Sequence, residues 1–213
     1  ARINALCGRN RNAADGYAPP PAWAGQTRAP QVKSRQAFTV EEVARIDRPS
    51  ALAMLPNGRM LVALRAGGLR IVDPDGAVSE PLAGVPQVQT ARLAAFYEVS
   101  LDRNFARNRT VYLGYVSRTS ATDPAAMGRI ARARLAADEK GLEEVKTLLE
   151  GPDILPRRIV QARDGTLLIP SAEIASGGPN PQSLQSQIGK VLRINADGTI
   201  PRDNPFLMDP QAK

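Results

Sequence analysis

Glycine-containing turn dipeptides between short apolar segments constrain this chain more than any other feature of its sequence. Within residues 50–82, the dipeptides Asn57-Gly58, Gly67-Gly68 and Asp75-Gly76 separate four apolar segments of strand length. Such dipeptides supply the positive φ angles that two-residue β-hairpin turns require. The segment therefore predicts a four-stranded antiparallel meander, which has the size of one β-propeller blade.

The same pattern appears twice more along the chain. Apolar segments of strand length recur within residues 97–149, and Asp164-Gly165 and Asp197-Gly198 each join two such segments within 158–201. Repeated units of this kind cannot bury their apolar faces alone, so they stack. We predict an all-β fold in which antiparallel four-stranded blades form a partial β-propeller. An ordinary β-sandwich with hairpins is the alternative.

The first 37 residues differ in composition from the rest. Prolines and glycines interrupt any period there, and arginines are scattered among them. We therefore predict an extended or disordered arm over 1–37 and a partial propeller over 38–213. Trp23, the only tryptophan, would anchor the arm on its own domain or on a partner, so Trp23 and Arg28 are the candidate partner-binding residues. Cys7, the only cysteine, is read as a thiol in this tail.

Composition narrows the classes of partner. No apolar run is long enough to form a transmembrane helix, and one cysteine gives no disulfide framework. The net charge is +7, but the basic residues are dispersed, and no recognition helix or aromatic stacking platform is present. We therefore expect no nucleic-acid partner. The basic surface suits docking on an acidic protein or near a membrane surface.

Collinear segments of the sequence resemble one enzyme family. They include LPNGRMLVALRAGGLRIV (55–72), NFARNRTVYLGY (104–115), RIVQARDGTLLIP (158–170) and IGKVLRINADGTIPRDNPF (188–206). In this order they are similar to the soluble aldose sugar dehydrogenases that use pyrroloquinoline quinone, also called glucose/sorbosone dehydrogenases. The resemblance implies a six-bladed propeller, with cofactor and sugar over one end of the central channel. The matched segments would form about half of it, as three blades.

The resemblance also implies a histidine that acts as general base, in a His-Phe-Gly motif just before the strand matching Arg158–Val160. Imidazole suits this role because it accepts a proton near neutral pH. This chain contains no histidine, and the matching position is Ile154. Isoleucine cannot abstract a proton, so we expect no catalytic residue at this position.

Other polar positions of the family pattern are also replaced. A Gln in a Gly-rich loop becomes Leu93, and a Gly-Asp-Arg motif becomes Ala172-Glu173-Ile174. The replaced strand ends are Arg48-Pro49-Ser50, where the family has His-Pro-Trp, and Ala63-Leu64-Arg65, where it has Thr-Glu-Arg. A carboxylate is kept at Glu98, for a structural hydrogen bond or as a remnant of the site.

These departures predict a catalytically inactive relative that serves as an accessory subunit of a larger, exported assembly, on the periplasmic side and peripheral to a membrane complex. It would bind no cofactor or metal. Half a propeller leaves sheet edges exposed, so we expect partner subunits to cover them rather than a free monomer. The alternative is the N-terminal half of an active dehydrogenase, which would use pyrroloquinoline quinone and calcium. A sugar-binding module is a third interpretation.

Overall fold

The computed structural model describes residues 37–88, 95–118, 126–172 and 180–210. The chain divides into two compact units, Ala1–Glu41 and Glu42–Lys213. In the first unit, the described residues 37–41 have no regular secondary structure. The predicted arm, with Cys7, Trp23 and Arg28, lies outside the described residues. All described strands belong to the second unit.

Three antiparallel sheets follow one another along the second unit. The first contains β1 (Pro49–Met54), β2 (Met60–Leu64) and β3 (Leu69–Val72). The second contains β4 (Ala95–Leu101), β5 (Thr110–Arg118), β6 (Ala126–Leu135) and β7 (Leu142–Gly151), with a short helix α1 (Phe105–Asn108) between β4 and β5. The third contains β8 (Val160–Gln161), β9 (Leu167–Pro170) and β10 (Val191–Ile194). Consecutive strands pair, so each sheet is a meander, and the described residues include no helix that could span a membrane.

The predicted hairpins at Asn57-Gly58, Gly67-Gly68 and Asp164-Gly165 are confirmed, but two predicted fourth strands are wrong. Gly58 and Gly165 have the positive φ angles of 80° and 87° that their turns need. The four-stranded middle sheet matches the prediction. In the first sheet, the segment 77–82 follows β3 irregularly and forms a single bridge, Val72 with Val78. In the third, residues 199–200 form no strand. A proline, which cannot donate a hydrogen bond to a ladder, interrupts or follows each of these segments.

The central strands of the middle sheet, β5 and β6, are buried on both faces. Alternate residues of β5 point to opposite sides, so Leu113 belongs to one apolar core with strands of the first sheet, while Tyr112 belongs to a second core with strands of the third. Strand β6 divides in the same way, with Ala131 in the first core and Ile130 in the second. A sheet covered on both faces reads as a nearly continuous apolar run, as β5 does.

Two glycines let the chain cross the middle sheet closely between β7 and β8. We call residues 152–159 the β7–β8 linker. A Cβ on Gly114 would lie 2.6 Å from the carbonyl oxygen of Pro156, and one on Gly128 would lie 1.7 Å from that of Ile154. Only residues without a side chain permit such contacts. The linker therefore packs directly on β5 and β6, burying Ile154 and Leu155.

A buried carboxylate joins the middle sheet to the third. The Oδ2 atom of Asp102 accepts hydrogen bonds from the Tyr112 hydroxyl at 3.0 Å and the Gln161 amide at 2.8 Å. Its Oδ1 atom accepts from the Asn108 amide and from the backbone N–H of Asn104. Burial acts to raise the pKa of Asp102, but these four donors together hold that pKa below its usual value.

Candidate functional site

A cleft of about 570 Å³ lies where the first strands of the three sheets begin. Strand β1 begins at Pro49, β4 begins at Ala95, and the linker leads into β8 at Val160. Because β2 runs antiparallel to β1, the end of β2 brings Arg65 to the same place. The lining residues are Pro49, Ser50, Arg65, Tyr97, Arg157 and Arg158.

Irregular backbone aims two of these side chains at the cleft. The register of β1 shifts between Pro49 and Ala51, and that of β4 shifts between Phe96 and Glu98, so Ser50 and Tyr97 each occupy a β-bulge. Arg48, just before β1, has a φ of 46°, which is uncommon for a residue with a side chain. Bulges and unusual φ angles are enriched at functional sites, where they redirect side chains. A bulge near the start of the first strand in each of two sheets therefore marks this cleft as a candidate functional site.

Positive charge dominates the cleft. The guanidinium carbon of Arg65 lies 6.0 Å from the centre of the Tyr97 ring, and that of Arg157 lies 5.6 Å from it, which are cation–π distances. Arg158 Nη1 donates to Glu98 Oε2 at 2.7 Å. Within the described ranges, neither Arg65 nor Arg157 forms an ion pair with a carboxylate. Three guanidinium groups therefore face one carboxylate.

Glu98 is a buried carboxylate at the edge of this cluster. Its side chain is 8% exposed, whereas that of Arg158 is 70% exposed. Removal from water raises the pKa of Glu98, although the hydrogen bond and the charge of Arg158 act to lower it. Glu98 is the register partner of Gly114, the glycine beneath the linker. The carboxylate therefore helps to hold Arg158 at the cleft.

Some of the residues that the sequence analysis singled out line the cleft, and others do not. Pro49, Ser50 and Arg65, which belong to the two replaced strand-end motifs, meet in the cleft, although of the three only Ser50 differs from the family residue. Ile154, at the position that the resemblance matches to the family base, does not line the cleft: its side chain is fully buried, with its Cδ1 atom against Gly151. Ala172 is exposed just after β9.

The remaining predicted positions, Leu93, Glu173 and Ile174, lie outside the described residues. Sequence reasoning missed Tyr97 and Arg157 as cleft residues. The Arg157-Arg158 doublet was the available signal for the second of them, but a strand was expected to start at Arg158. The structure starts β8 at Val160, since the linker stays packed on the middle sheet through Ile159.

The described residues do not fit a centre for quinone-dependent oxidation. Such a centre needs a proton acceptor beside the substrate, and Ile154 offers none. A calcium ion needs several oxygen ligands, and no three acidic, histidine or cysteine side chains among the described residues lie close enough together to hold a metal. The arginine side chains suit an anion, which includes the carboxylates of the quinone itself, so the misfit lies in the missing proton acceptor and metal ligands.

Comparison with known proteins identifies the family. The sequence profile of the family described as glucose/sorbosone dehydrogenase matches residues 46–213. An uncharacterised Synechocystis protein, slr1608, is 32% identical over 211 residues, which cover 88% of this chain and 48% of that protein. The aldose sugar dehydrogenase YliI of Escherichia coli is 32% identical over 176 residues, covering 79% of this chain and 47% of that protein.

Solved structures agree with the sequence comparison. The crystal structure of the soluble aldose sugar dehydrogenase of Escherichia coli, in its apo form, superposes with a TM-score of 0.68 at 31% identity, over 78% of this chain and 49% of that one. The match confirms the partial propeller. The chain spans about half the length of the curated relatives it matches. It belongs to the glucose/sorbosone dehydrogenase family, as its resemblance to the quinone-dependent aldose sugar dehydrogenases predicted.

Proposed function

We propose that this chain is a sugar-dehydrogenase-like propeller domain that does not carry out the family's aldose oxidation and acts by binding, as an accessory part of a larger assembly. The observation that carries the proposal is Ile154. The residue at the base position has an apolar, fully buried side chain, and no histidine exists in the chain to replace it. Glu98, a carboxylate at the edge of the cleft, is already held by Arg158.

The protein that carries this chain, at its natural length, is expected to show no aldose oxidation. Loss of a positioned general base alone lowers a rate by a factor of about 10²–10⁴. The assay supplies pyrroloquinoline quinone, calcium and a dye acceptor, with glucose and other aldoses as substrates and the Escherichia coli aldose sugar dehydrogenase as positive control. Turnover at about 1–10³ per second, the ordinary range for enzymes, would contradict the proposal.

An apolar groove along the third sheet supports an accessory role. Strand β10 forms the edge of that sheet, and a cavity of about 670 Å³ runs between it and the chain that follows. Large apolar side chains are exposed around it: Val191 is 65%, Ile200 61% and Phe206 54% exposed. Exposed edges and contiguous apolar patches are typical of surfaces that a further chain covers.

We expect the protein to be isolated in a stable contact with another subunit rather than as a free monomer. A specific interface of this kind buries more than about 1,000 Å². Light scattering coupled to size exclusion, on protein purified at its natural length, measures the mass in solution. A soluble, monodisperse monomer that is stable without a partner would rule out the accessory role.

The family membership also supports an exported location, on the periplasmic side. We expect the protein in the periplasmic or peripheral-membrane fraction when cells are separated by osmotic shock and salt washing. Detection of the precursor and the mature chain by mass spectrometry would show whether a leader is removed. Confinement to the cytosolic fraction would contradict this part of the proposal.

A second function is favoured by one fact. Because the chain spans about half of its curated relatives, it can be the N-terminal half of an active dehydrogenase whose remaining half supplies the quinone contacts and the calcium site. The aldose assay separates the two functions, because only this second one predicts turnover.

A further inference from the structure

We propose that the cleft at the strand beginnings binds a small sugar acid, meaning a sugar that carries a phosphate or a carboxylate group. The sugar part of this proposal rests on the proposed function, since it assumes that the domain keeps a sugar-sized ligand without oxidising it. The anionic part rests on the cleft itself, since an unmodified aldose such as glucose is neutral.

The charge balance of the cleft calls for an anion. Glu98 compensates Arg158, and that pair is closed by a charge-assisted bond of 2.7 Å. Arg65 and Arg157 are left without a carboxylate partner within the described ranges, while both lie against the Tyr97 ring. Guanidinium groups without a carboxylate partner can bind a phosphate or a carboxylate through paired hydrogen bonds.

The cleft is held in shape before any ligand arrives. The backbone at Arg65 is fixed by its N–H, which donates to the Arg48 carbonyl oxygen at 2.9 Å. Arg157 sits on the linker, whose path is set by the close approach at Gly114 and Gly128. Tyr97 is turned inward by its bulge. A site whose backbone is already in place loses less entropy when it binds a ligand.

The dimensions favour a small molecule over a polymer. A volume of about 570 Å³ lies within the range of roughly 300–1,000 Å³ that is typical of small-ligand pockets. A membrane surface or a nucleic acid would need an extended basic face, and the cationic side chains here converge on one concave place. The Tyr97 ring supplies apolar surface for the carbon face of a sugar ring.

The test is isothermal titration calorimetry of the purified protein at low salt. The ligands are glucose 6-phosphate, glucuronate, glucose and inorganic phosphate. We expect at least one sugar acid to bind, glucose to show no binding, and inorganic phosphate to bind more weakly than the sugar acid. Glucose 6-phosphate and glucuronate distinguish a phosphate from a carboxylate ligand. Arg157→Gln and Arg65→Gln are each expected to weaken binding by about tenfold or more.

The matched control is Arg107→Gln, which removes the same charge from the exposed last turn of α1, beyond the opposite end of β4. It should leave the affinity unchanged within about twofold, since an exposed charge that far away is screened. All three arginines are exposed, so the variants should fold, and circular dichroism checks this.

Three results would overturn the inference: no binding of either sugar acid, equal binding of glucose, or an equal loss in Arg107→Gln. If inorganic phosphate binds as tightly as glucose 6-phosphate, the sugar contributes nothing to binding, and the sugar part of the proposal is contradicted. Pyrroloquinoline quinone, a tricarboxylate, is titrated separately, and quinone binding that Arg65→Gln and Arg157→Gln weaken, without any sugar-acid binding, would also overturn the inference. Aldose turnover with the quinone tests the proposed function, whereas sugar-acid binding tests this inference, so the failure of one is distinguishable from the failure of the other.

Discussion

Replacing Gly128 with alanine is expected to lower the free energy of unfolding by about 3 kcal/mol, near the upper end of what overpacking costs. The added Cβ would lie 1.7 Å from the carbonyl oxygen of Ile154, a contact that no side-chain rotation can relieve. The linker would have to lift from β6, and the fully buried Ile154 would lose its packing. Urea denaturation of the wild type and the variant measures the difference.

Gly151→Ala is the matched control, because Gly151 is the direct partner of Gly128 in the β6–β7 register. There the new Cβ would meet the Cδ1 atom of Ile154 at 3.2 Å, which is the movable end of a side chain. We expect a loss below about 1 kcal/mol, since such an end can shift to a new rotamer. Equal losses in the two variants would contradict the account of the linker.

Asp102→Ala is expected to be comparably destabilising, by about 3 kcal/mol. It would leave the hydroxyl of Tyr112, a residue that is 1% exposed, without its acceptor, and would remove the acceptor of the Gln161 amide that joins β8 to the middle sheet. Bonds to a charged acceptor contribute more than neutral ones, and an orphaned buried donor adds its own cost. Thermal or urea unfolding at neutral pH measures the loss.

The same carboxylate gives a pH dependence of defined sign. Hydrogen bonds hold the pKa of Asp102 below its usual value in the folded state. The contribution of Asp102 to the free energy of unfolding is therefore complete above the pKa of the unfolded state, about 3.9. It is lost as the pH falls through the lower pKa of the folded state. Asp102→Ala should flatten the acid side of the stability profile. The control is Asp138→Ala, at an exposed turn carboxylate, which should change the stability profile little. An unaltered acid side in the Asp102→Ala variant would refute the assignment of this pH dependence to Asp102.

Local chemistry made most of the fold predictable. The Asn57-Gly58 and Asp164-Gly165 turns, with positive φ at each glycine, predicted the hairpins of the first and third sheets. The two missing strands were harder, because 77–82 has the composition of a strand. Its proline interrupts hydrogen bonding, and whether an irregular edge still counts as a strand depends on its neighbours.

The site was less predictable than the fold, for a geometric reason. Family resemblance marked the two motifs that contain Pro49, Ser50 and Arg65, because each motif has replaced positions, and the structure brings these three residues together. Tyr97 reaches the cleft only because β4 contains a bulge, and a bulge depends on pairing with β5 rather than on local sequence. Arg157 depends on the crossing at Gly114 and Gly128, whose contacts are distant in sequence.

Burial on both faces also changes what fixes the alignment of the middle strands. In a sheet with one wet face, a slip of one residue would turn apolar side chains toward water, so polarity sets the register. In β5 the same slip would exchange Tyr112 and Leu113 between two apolar cores. The register must therefore be fixed by side-chain volume rather than by polarity. Gly114 is the only residue of β5 without a Cβ, and Gly128 is the only one in β6, so each strand has a single position that can lie under the crossing chain.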